Sequence, residues 1–154
     1  YRCRFELTIR EELRLLESYM KIQQVRFGDG IELEYDLDES LLEHKVMKLT
    51  LQPIVENSIH HGRRDDSDSF HILIRLYRTE EQSALQKTVL EVIDDGIGIP
   101  PEKMLELQDS MDQSVGGYGL KNVNLRIKLQ YGQEYGISME SEEGFGTKVR
   151  IELP

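Results

Sequence analysis

The sequence has one cysteine, few basic residues and no long apolar run, and each shortage excludes a class of protein. Cys3 alone can form neither an internal disulfide nor a zinc site, so we expect a reducing compartment such as the cytoplasm. No stretch approaches the roughly 20 apolar residues of a membrane span, and we find no signal-peptide pattern. Because 29 acidic residues outnumber 19 basic ones, the net charge is −10, which excludes nucleic acid as a partner.

What is present fits a single soluble globular domain. The chain has 154 residues, 38% hydrophobic and 31% charged, which is enough to build one core. It begins with Tyr1 rather than Met, so we expect it to be part of a longer protein.

The spacing of apolar residues predicts a mixture of helices and strands. Thr8 and Glu11 have the spacing of a capping box and open a predicted helix over residues 8–27. Two further helices are predicted near residues 47–61 and 119–131. Strands are predicted near residues 31–35, 71–77, 88–93, 135–141 and 147–153. Since several strands follow one another as hairpins, we predict an α+β fold, a two-layer sandwich whose mixed sheet is covered on one face by helices.

The segment from Asp94 to Gly119 is rich in glycine, and we predict a lid or binding loop there, about residues 96–117. Pro101 is placed to open a short helix over residues 102–108. In the helix that follows, the apolar side is assigned to Leu120, Val123, Leu125, Ile127 and Leu129.

Three segments carry possible chemistry, and each also has a plain structural interpretation. In LQPIVENSIHHG (residues 51–62), Glu56 and Asn57 interrupt an apolar helix; Asn57 offers an amide oxygen suited to Mg²⁺, or the pair forms a solvated face. In VIDDGIGIP (residues 92–100), Asp94 offers an acceptor to the exocyclic amine of a base, and Gly96 and Gly98 allow close approach of a flat ligand; a simple acidic turn is the alternative.

The third segment, GGYGLKN (residues 116–122), leads into a helix. Gly117 and Gly119 free backbone N–H groups where the helix dipole favours phosphate, and Lys121 adds a positive charge; a flexible loop before a helix is the alternative. The order of the three segments predicts a nucleotide site, because each suits a different part of ATP. A metal site built from the adjacent His60 and His61 is not expected, since on a helix they point roughly 100° apart.

The motifs together resemble the ATP-binding catalytic domain of a sensor histidine kinase, in the superfamily shared with DNA gyrase, heat-shock chaperones and mismatch-repair ATPases. LQPIVENSIHHG resembles the N box, DDGIGIP the G1 box, GGYGLKNVNLRI the G2 box and EEGFGTKVRIELP the closing strand region. The run REELRLLESYMKIQQVRFGD is similar to the YesM-like and LytS-like sub-group. The resemblance covers residues 8–154 and implies the Bergerat-type ATP-binding fold.

The resemblance implies a role for each matched residue. Asn57 matches the Mg²⁺ ligand, and Glu56 matches the acid that orients the acceptor or a water. Asp94 matches the acid that binds the adenine amine. The other matched positions are Gly96 and Gly98 beside the base, Gly117 and Gly119 at the phosphate side of the lid hinge, Leu120 and Lys121 in the G2 box, and Thr147 near the adenine.

Two positions depart from the usual pattern. Pro53 stands where many histidine kinases have a second Asn, as is usual in the sub-group. His60 stands where a Lys that reaches the phosphates is common, so a phosphate contact from this position is weak at neutral pH. His61 matches the ring position near the nucleotide.

The implied protein is a protein-histidine kinase that uses ATP and Mg²⁺. We predict a helical linker over residues 1–30, leading from a dimerisation and phosphoacceptor region, and an ATP-binding catalytic domain over residues 31–154. The γ-phosphoryl group goes to a histidine on a separate helix, which no segment here resembles, so this chain should not phosphorylate itself. The implied partners are that histidine region and a response regulator, within a homodimeric parent that is a membrane protein with this domain in the cytoplasm.

Three alternatives remain open at this point. One is a superfamily ATPase that uses its nucleotide state as a conformational switch, and another is a serine kinase of the anti-sigma type. The third is a non-enzymatic interaction module, against which the complete set of Asn57, Asp94 and glycines speaks.

Overall fold

The fold is seen in a computed structural model that describes residues 6–27, 30–48, 50–62, 69–79, 85–105 and 119–154. Within these ranges the helices are α1 (Ile9–Phe27), α2 (Leu51–Gly62) and α3 (Gly119–Tyr131), with a 3-10 turn at Glu39–Leu41 and a short helical segment over residues 101–105. The strands are β1 (Glu6–Thr8), β2 (Ile31–Leu37), β3 (Lys45–Met47), β4 (Phe70–Arg78), β5 (Thr88–Asp94), β6 (Gly136–Glu142) and β7 (Gly146–Leu153).

Five of the strands form one mixed sheet in the order β2-β4-β5-β7-β6. The β2–β4 pair is parallel and the other three pairs are antiparallel. The register sets Asp94, the last residue of β5, directly opposite Thr147 on β7. The predicted α+β fold with a mixed sheet is therefore confirmed.

The start of α1 follows from its first residues. The backbone N–H of Thr8 donates to Glu11 Oε1 at 3.1 Å, and the N–H of Glu11 donates back to Thr8 Oγ1 at 3.2 Å. This reciprocal pair is the predicted capping box, and it satisfies two N–H groups that the first helical turn leaves without partners.

The apolar stripe of α1 belongs to the same core as the sheet. Ile9, Leu13, Leu16 and Met20 are buried together with side chains of α2, α3 and the sheet strands. The division into a linker over residues 1–30 and a domain over residues 31–154 remains a prediction, although the described part of that linker packs as part of this core.

Two sequence predictions about elements are wrong. The second helix begins at Leu51 rather than near Met47, because Lys45–Met47 instead pairs with Glu6–Thr8 as a two-stranded antiparallel sheet. On α3, Leu120, Val123 and Ile127 are buried, but Leu125 and Leu129 lie on the opposite side and are exposed, Leu129 by 75%. Positions 125 and 129 are one helical turn apart and share a face that the core does not use.

The sheet face away from the helices carries a cluster of charged side chains. Glu91 on β5 is buried there; its carboxylate lies 3.3 Å from Arg75 Nη1 and accepts a hydrogen bond from the Tyr77 hydroxyl at 3.0 Å. Lys148 Nζ lies 3.8 Å from the same carboxylate. No helix in the described ranges is both long and apolar enough to cross a membrane.

Candidate nucleotide site

The candidate site lies where β5 ends beneath α2. Asp94 is only 5% exposed at this point. Its Oδ1 accepts backbone N–H bonds from Gly96 at 2.9 Å and from Thr147 at 3.2 Å, and its carboxyl group also accepts a bond from the Ser58 hydroxyl. Three donors from three parts of the chain therefore fix the orientation of this carboxylate.

Burial and hydrogen bonding act in opposite directions on Asp94. Loss of solvent is the larger effect and raises the pKa of its carboxyl group, while the bonds from Gly96, Ser58 and Thr147 lower it. Because the pKa of a buried carboxyl group is often shifted where it has a functional task, this supports Asp94 as a site residue.

Ser58 is a site residue that the sequence reasoning missed. It lies on α2 among the buried positions Leu51, Ile54, Val55, Ile59 and Gly62. A hydroxyl on an otherwise apolar helix face needs a buried hydrogen-bond partner, and that mismatch was the available signal. Its partner is Asp94, so α2 is joined to the end of β5 by a side-chain bond one residue after Asn57.

The two glycines after Asp94 are required by packing against the protein itself. A Cβ atom on Gly96 would collide with the carbonyl of Gly62, the last residue of α2. Gly98 has φ +70°, and a Cβ there would collide with the carbonyl of Glu142. The close approach is thus to backbone of α2 and of the β6–β7 turn, and contact of either glycine with a base remains a prediction.

Further hydrogen bonds hold the turn that contains these glycines. Ile97 donates its N–H to the Gly62 carbonyl at 2.8 Å, and its carbonyl accepts from Gly144 at 2.6 Å. Ser141 Oγ accepts the N–H of Ile99 at 2.8 Å and lies 2.8 Å from Thr147 Oγ1. The predicted site residue Thr147 is therefore brought beside Asp94, with its hydroxyl in a network that orders the same turn.

The predicted residues of α2 lie on its more exposed sides. Glu56 and Asn57 are half-buried, whereas His60 and His61 in the last turn are exposed. Glu56 Oε1 accepts a bond from Gln52 Nε2 at 3.1 Å. Burial, and then the charge of Glu56, raises the pKa of Tyr19 on α1 to about 12, so Glu56 lies near α1 as well.

The phosphate side of the predicted site is described only in part. Helix α3 begins at Gly119, and Leu120 and Lys121 in its first turn are buried, Lys121 to 5% exposure. Residues 106–118, which include Gly117 and the second half of the predicted lid, lie outside the described residues. The short helical segment over residues 101–105 agrees with the described part of the helix predicted over residues 102–108.

The described ranges contain no group of three or more His, Cys, Asp or Glu side chains that could hold a metal ion. A cation that takes further ligands from water and from a bound phosphate does not require such a group. Mg²⁺ fits that condition, because it keeps several waters and usually takes one or two protein oxygens together with phosphates. The half-buried amide of Asn57 offers one such oxygen.

A second cluster at this edge of the sheet involves His71 on β4. Its Nδ1 lies 2.9 Å from Asp95 Oδ2, and its Nε2 lies 3.0 Å from Glu32 Oε2. The backbone N–H of His71 also donates to Asp95 Oδ1 at 2.8 Å. The hydrogen bond to Asp95, together with the nearby charges of Asp95 and Glu32, raises the pKa of His71 against a smaller effect of burial. This residue ties the position after Asp94 to the sheet, and sequence reasoning did not identify it.

Comparison with known proteins was made for sequence and for structure. A family profile described as "Histidine kinase-, DNA gyrase B-, and HSP90-like ATPase" matches residues 44–154. A sensor-like histidine kinase of Staphylococcus epidermidis is 34% identical over 147 residues, which is 94% of this chain and 27% of that protein. The sensor protein kinase HptS of Staphylococcus aureus is 32% identical over 149 residues, again 27% of its length. The chain thus spans about a quarter of these relatives.

Solved structures show the same fold at lower identity. The catalytic domain of the histidine kinase ThkA has a TM-score of 0.68 and 18% identity, covering 97% of this chain and 94% of that one. ThkA in complex with the response regulator TrrA gives a TM-score of 0.66 and 19% identity, covering 97% of this chain and 41% of that one. The predicted similarity to sensor histidine kinases and their ATP-binding fold is confirmed, whereas the sub-group remains a prediction.

Proposed function

The chain belongs to the histidine kinase-, DNA gyrase B- and HSP90-like ATPase family, and we propose that it is the ATP-binding catalytic domain of a sensor histidine kinase. In this proposal it binds Mg-ATP and presents the γ-phosphoryl group to a histidine on a separate helix. The observation that carries the proposal is Asp94, a buried carboxylate fixed by three donors at the end of β5.

Asp94 is suited to bind the adenine amine. Both backbone bonds end on Oδ1, so Oδ2 is the oxygen that we assign to the exocyclic N–H group. A carboxylate whose orientation is already fixed loses little conformational freedom when the base binds. Gly96, Gly98 and Thr147 complete this part of the site in the proposal.

The phosphate end of ATP would lie toward Asn57 and the start of α3. A Mg²⁺ ion held there would supply positive charge that offsets the charge developing on the leaving oxygen. Asn57 would supply one oxygen ligand, and the N–H groups of Gly119, Leu120 and Lys121 at the start of α3 would bind the phosphates. The resemblance assigns Gly117 to the same part of the site. Glu56 orients the acceptor or a water, and His60 and His61 border the nucleotide.

Transfer would proceed by positioning and electrostatics rather than by a covalent intermediate on this domain. The acceptor histidine belongs to another part of the parent protein. The relatives are named as sensor kinases, and ThkA has been solved with a response regulator. We therefore infer a response regulator as the downstream partner and a homodimeric, membrane-anchored parent whose catalytic domain lies in the cytoplasm.

Calorimetry with Asn57→Ala tests the proposal. Wild-type protein should bind ATP more tightly with Mg²⁺ than with chelator, and Asn57→Ala should remove most of that difference while keeping the affinity in chelator, because it removes only the metal ligand. The melting temperature and circular dichroism of Asn57→Ala without nucleotide serve as the control for general damage to α2. Equal loss with and without Mg²⁺ would contradict the metal role, and absence of any ATP binding by the wild type would contradict the proposed function.

A further inference from the structure

Helix α2 follows Thr50 and has Pro53 in its first turn. Thr50 precedes its first residue, but the Thr50 hydroxyl donates to the carbonyl of Met47 at 2.7 Å. The third helical residue is Pro53, which has no N–H group for a capping side chain to bind. Leu51 is the first helical residue, so its N–H has no acceptor within the helix and needs one from outside it.

That acceptor comes from α1. Glu12 Oε2 accepts the N–H of Leu51 at 3.2 Å, across 39 positions of sequence. Glu12 is 2% exposed and Thr50 is 1% exposed, so the contact is shielded from water. A carboxylate at a helix N-terminus also interacts favourably with the helix dipole, and the effect is larger in buried geometry.

Glu12 is a charged residue on the buried side of α1. It lies next to Leu13 on the side of α1 that enters the core, between the buried positions Ile9 and Leu16. Burying a carboxylate costs free energy unless it is hydrogen-bonded, and the bond from Leu51 offsets that cost for Glu12. The adjacent Glu11 has a different role, because its carboxylate caps α1 itself. The two neighbouring acids thus serve two different helices.

We propose that Glu12 is a positioning residue for the nucleotide site, because it fixes the start of the helix that carries Asn57. Asn57 lies six residues after Leu51, which is about 9 Å along a rigid helix. A shift or tilt at the first turn of α2 is therefore transmitted to the amide of Asn57. This inference depends on the proposed role of Asn57 as the Mg²⁺ ligand, and it gives α1 a part in binding ATP.

The experiment compares four variants by calorimetry with ATP, with Mg²⁺ and with chelator, at a temperature where each variant is folded. Glu12→Ala should lower the affinity for Mg-ATP by a factor on the order of five, which is the free energy of one helix cap expressed as a change in affinity. The affinity for ATP in chelator should change much less. Glu12→Gln keeps an acceptor oxygen and should recover part of the loss. Glu11→Ala, which removes the cap of α1 but not of α2, is the matched control and should leave the Mg²⁺ dependence unchanged. Amide hydrogen exchange should quicken at Leu51 in Glu12→Ala only.

Each other result overturns a defined part of the inference. If Glu12→Ala lowers the melting temperature but keeps the full Mg²⁺ dependence, Glu12 is a structural cap and not a positioning residue. If Glu11→Ala has the same effect as Glu12→Ala, the contact with Leu51 is not the cause. The fourth variant, Asn57→Ala, separates the two proposals: an unchanged Mg²⁺ dependence there refutes the metal assignment, whereas loss there but not in Glu12→Ala refutes only the inference about Glu12.

Discussion

At the scale of single residues, Asp94 carries a cost in stability at the position that we propose binds adenine. Its pKa is raised in the folded protein, so the ionised form is disfavoured there relative to the unfolded chain. The associated loss of stability is complete above the folded pKa, decreases as the pH falls through it, and is gone below the unfolded pKa. A binding residue that costs stability is common in sites that must stay ready for a ligand.

The change Asp94→Asn should separate these two effects. The amide keeps one oxygen for the N–H groups of Gly96 and Thr147, but its NH₂ group would face the adenine amine as a second donor. We expect a loss of about 1.5–3 kcal/mol in binding, or about 10- to 100-fold in ATP affinity. The free energy of unfolding without nucleotide, measured by urea denaturation, should be unchanged or higher. Unchanged ATP affinity in calorimetry would remove Asp94 from the site.

His71 provides a pH-dependent contribution at the same edge. Both ring nitrogens lie about 3 Å from carboxylate oxygens of Asp95 and Glu32, so both must carry protons for the contacts to be favourable. The pKa of His71 in the folded protein is raised above its ordinary value of 6.5. The contribution of His71 to stability is therefore complete below pH 6.5 and is lost as the pH rises through the folded pKa. The free energy of unfolding should thus fall over that window in the wild type and less in His71→Gln.

Nuclear magnetic resonance of the imidazole protons checks the cause directly. The titration midpoint of the His71 imidazole signals should lie above pH 6.5. It should decrease in Asp95→Asn and in Glu32→Gln, since each change removes one partner carboxylate. A midpoint that neither substitution moves would show that the two contacts are not maintained in solution.

At the scale of elements, the sequence predicted those with strong local signals. Helix α1 was predicted from the Thr8 and Glu11 capping box, and α3 was predicted at its observed bounds, Gly119–Tyr131. The three-residue strands β1 and β3 have no detectable periodicity, and the apolar Val46 and Met47 continued the helical pattern toward α2. Short strands exist only through their pairing, which a local pattern does not contain.

In the site, too, a local sequence pattern identifies residues within a motif but not their partners in distant parts of the chain. Asn57, Asp94 and Thr147 could be predicted because they lie in motifs with a fixed order. Ser58 and Glu12 could not be assigned partners, because each acts on a residue 36 or 39 positions away that only the fold brings near. Burial of Leu120 but not of Leu125 depends likewise on which side of α3 meets the sheet.

The packing of α1 makes a prediction about the unit that folds. Leu16 is fully buried in the common core, whereas Ile22 on the same helix is 65% exposed. Leu16→Ala should lower the free energy of unfolding of the whole chain by about 2–5 kcal/mol, while Ile22→Ala should change it by less than about 0.5 kcal/mol. Circular dichroism should show one cooperative transition in both variants. A separate early transition in Leu16→Ala, with the sheet unaffected, would show that α1 is an independent linker.

At the scale of the whole molecule, the net charge of −10 has to be reconciled with a polyanionic ligand. The hydrogen bonds around Asp94 involve no basic side chain: the donors are two backbone N–H groups and one hydroxyl, and the acceptor is the Asp94 carboxylate. Local dipoles and a divalent cation act over a few ångströms, whereas the overall negative charge is screened beyond about 8 Å at physiological salt. An acidic domain can therefore bind ATP without a basic surface.

The same whole-molecule view predicts that the 154-residue chain binds ATP but does not phosphorylate itself. Of its four histidines, His44 has its Nε2 3.0 Å from the Pro154 carbonyl, and His71 has both ring nitrogens within about 3 Å of carboxylates, so the His71 ring is held in contacts that compete with attack on a phosphate. His60 and His61 lie on α2, the helix that carries Asn57, and a rigid helix cannot turn them in line with a phosphate bound to its own Asn57.

Incubation with γ-labelled ATP should leave no stable phosphohistidine on the chain, while Mg-ATP at 100 times its Kd should stabilise the chain against unfolding by about 2.7 kcal/mol. Label retained on His60 or His61 would contradict this prediction, and its loss in His60→Ala or His61→Ala would identify the acceptor.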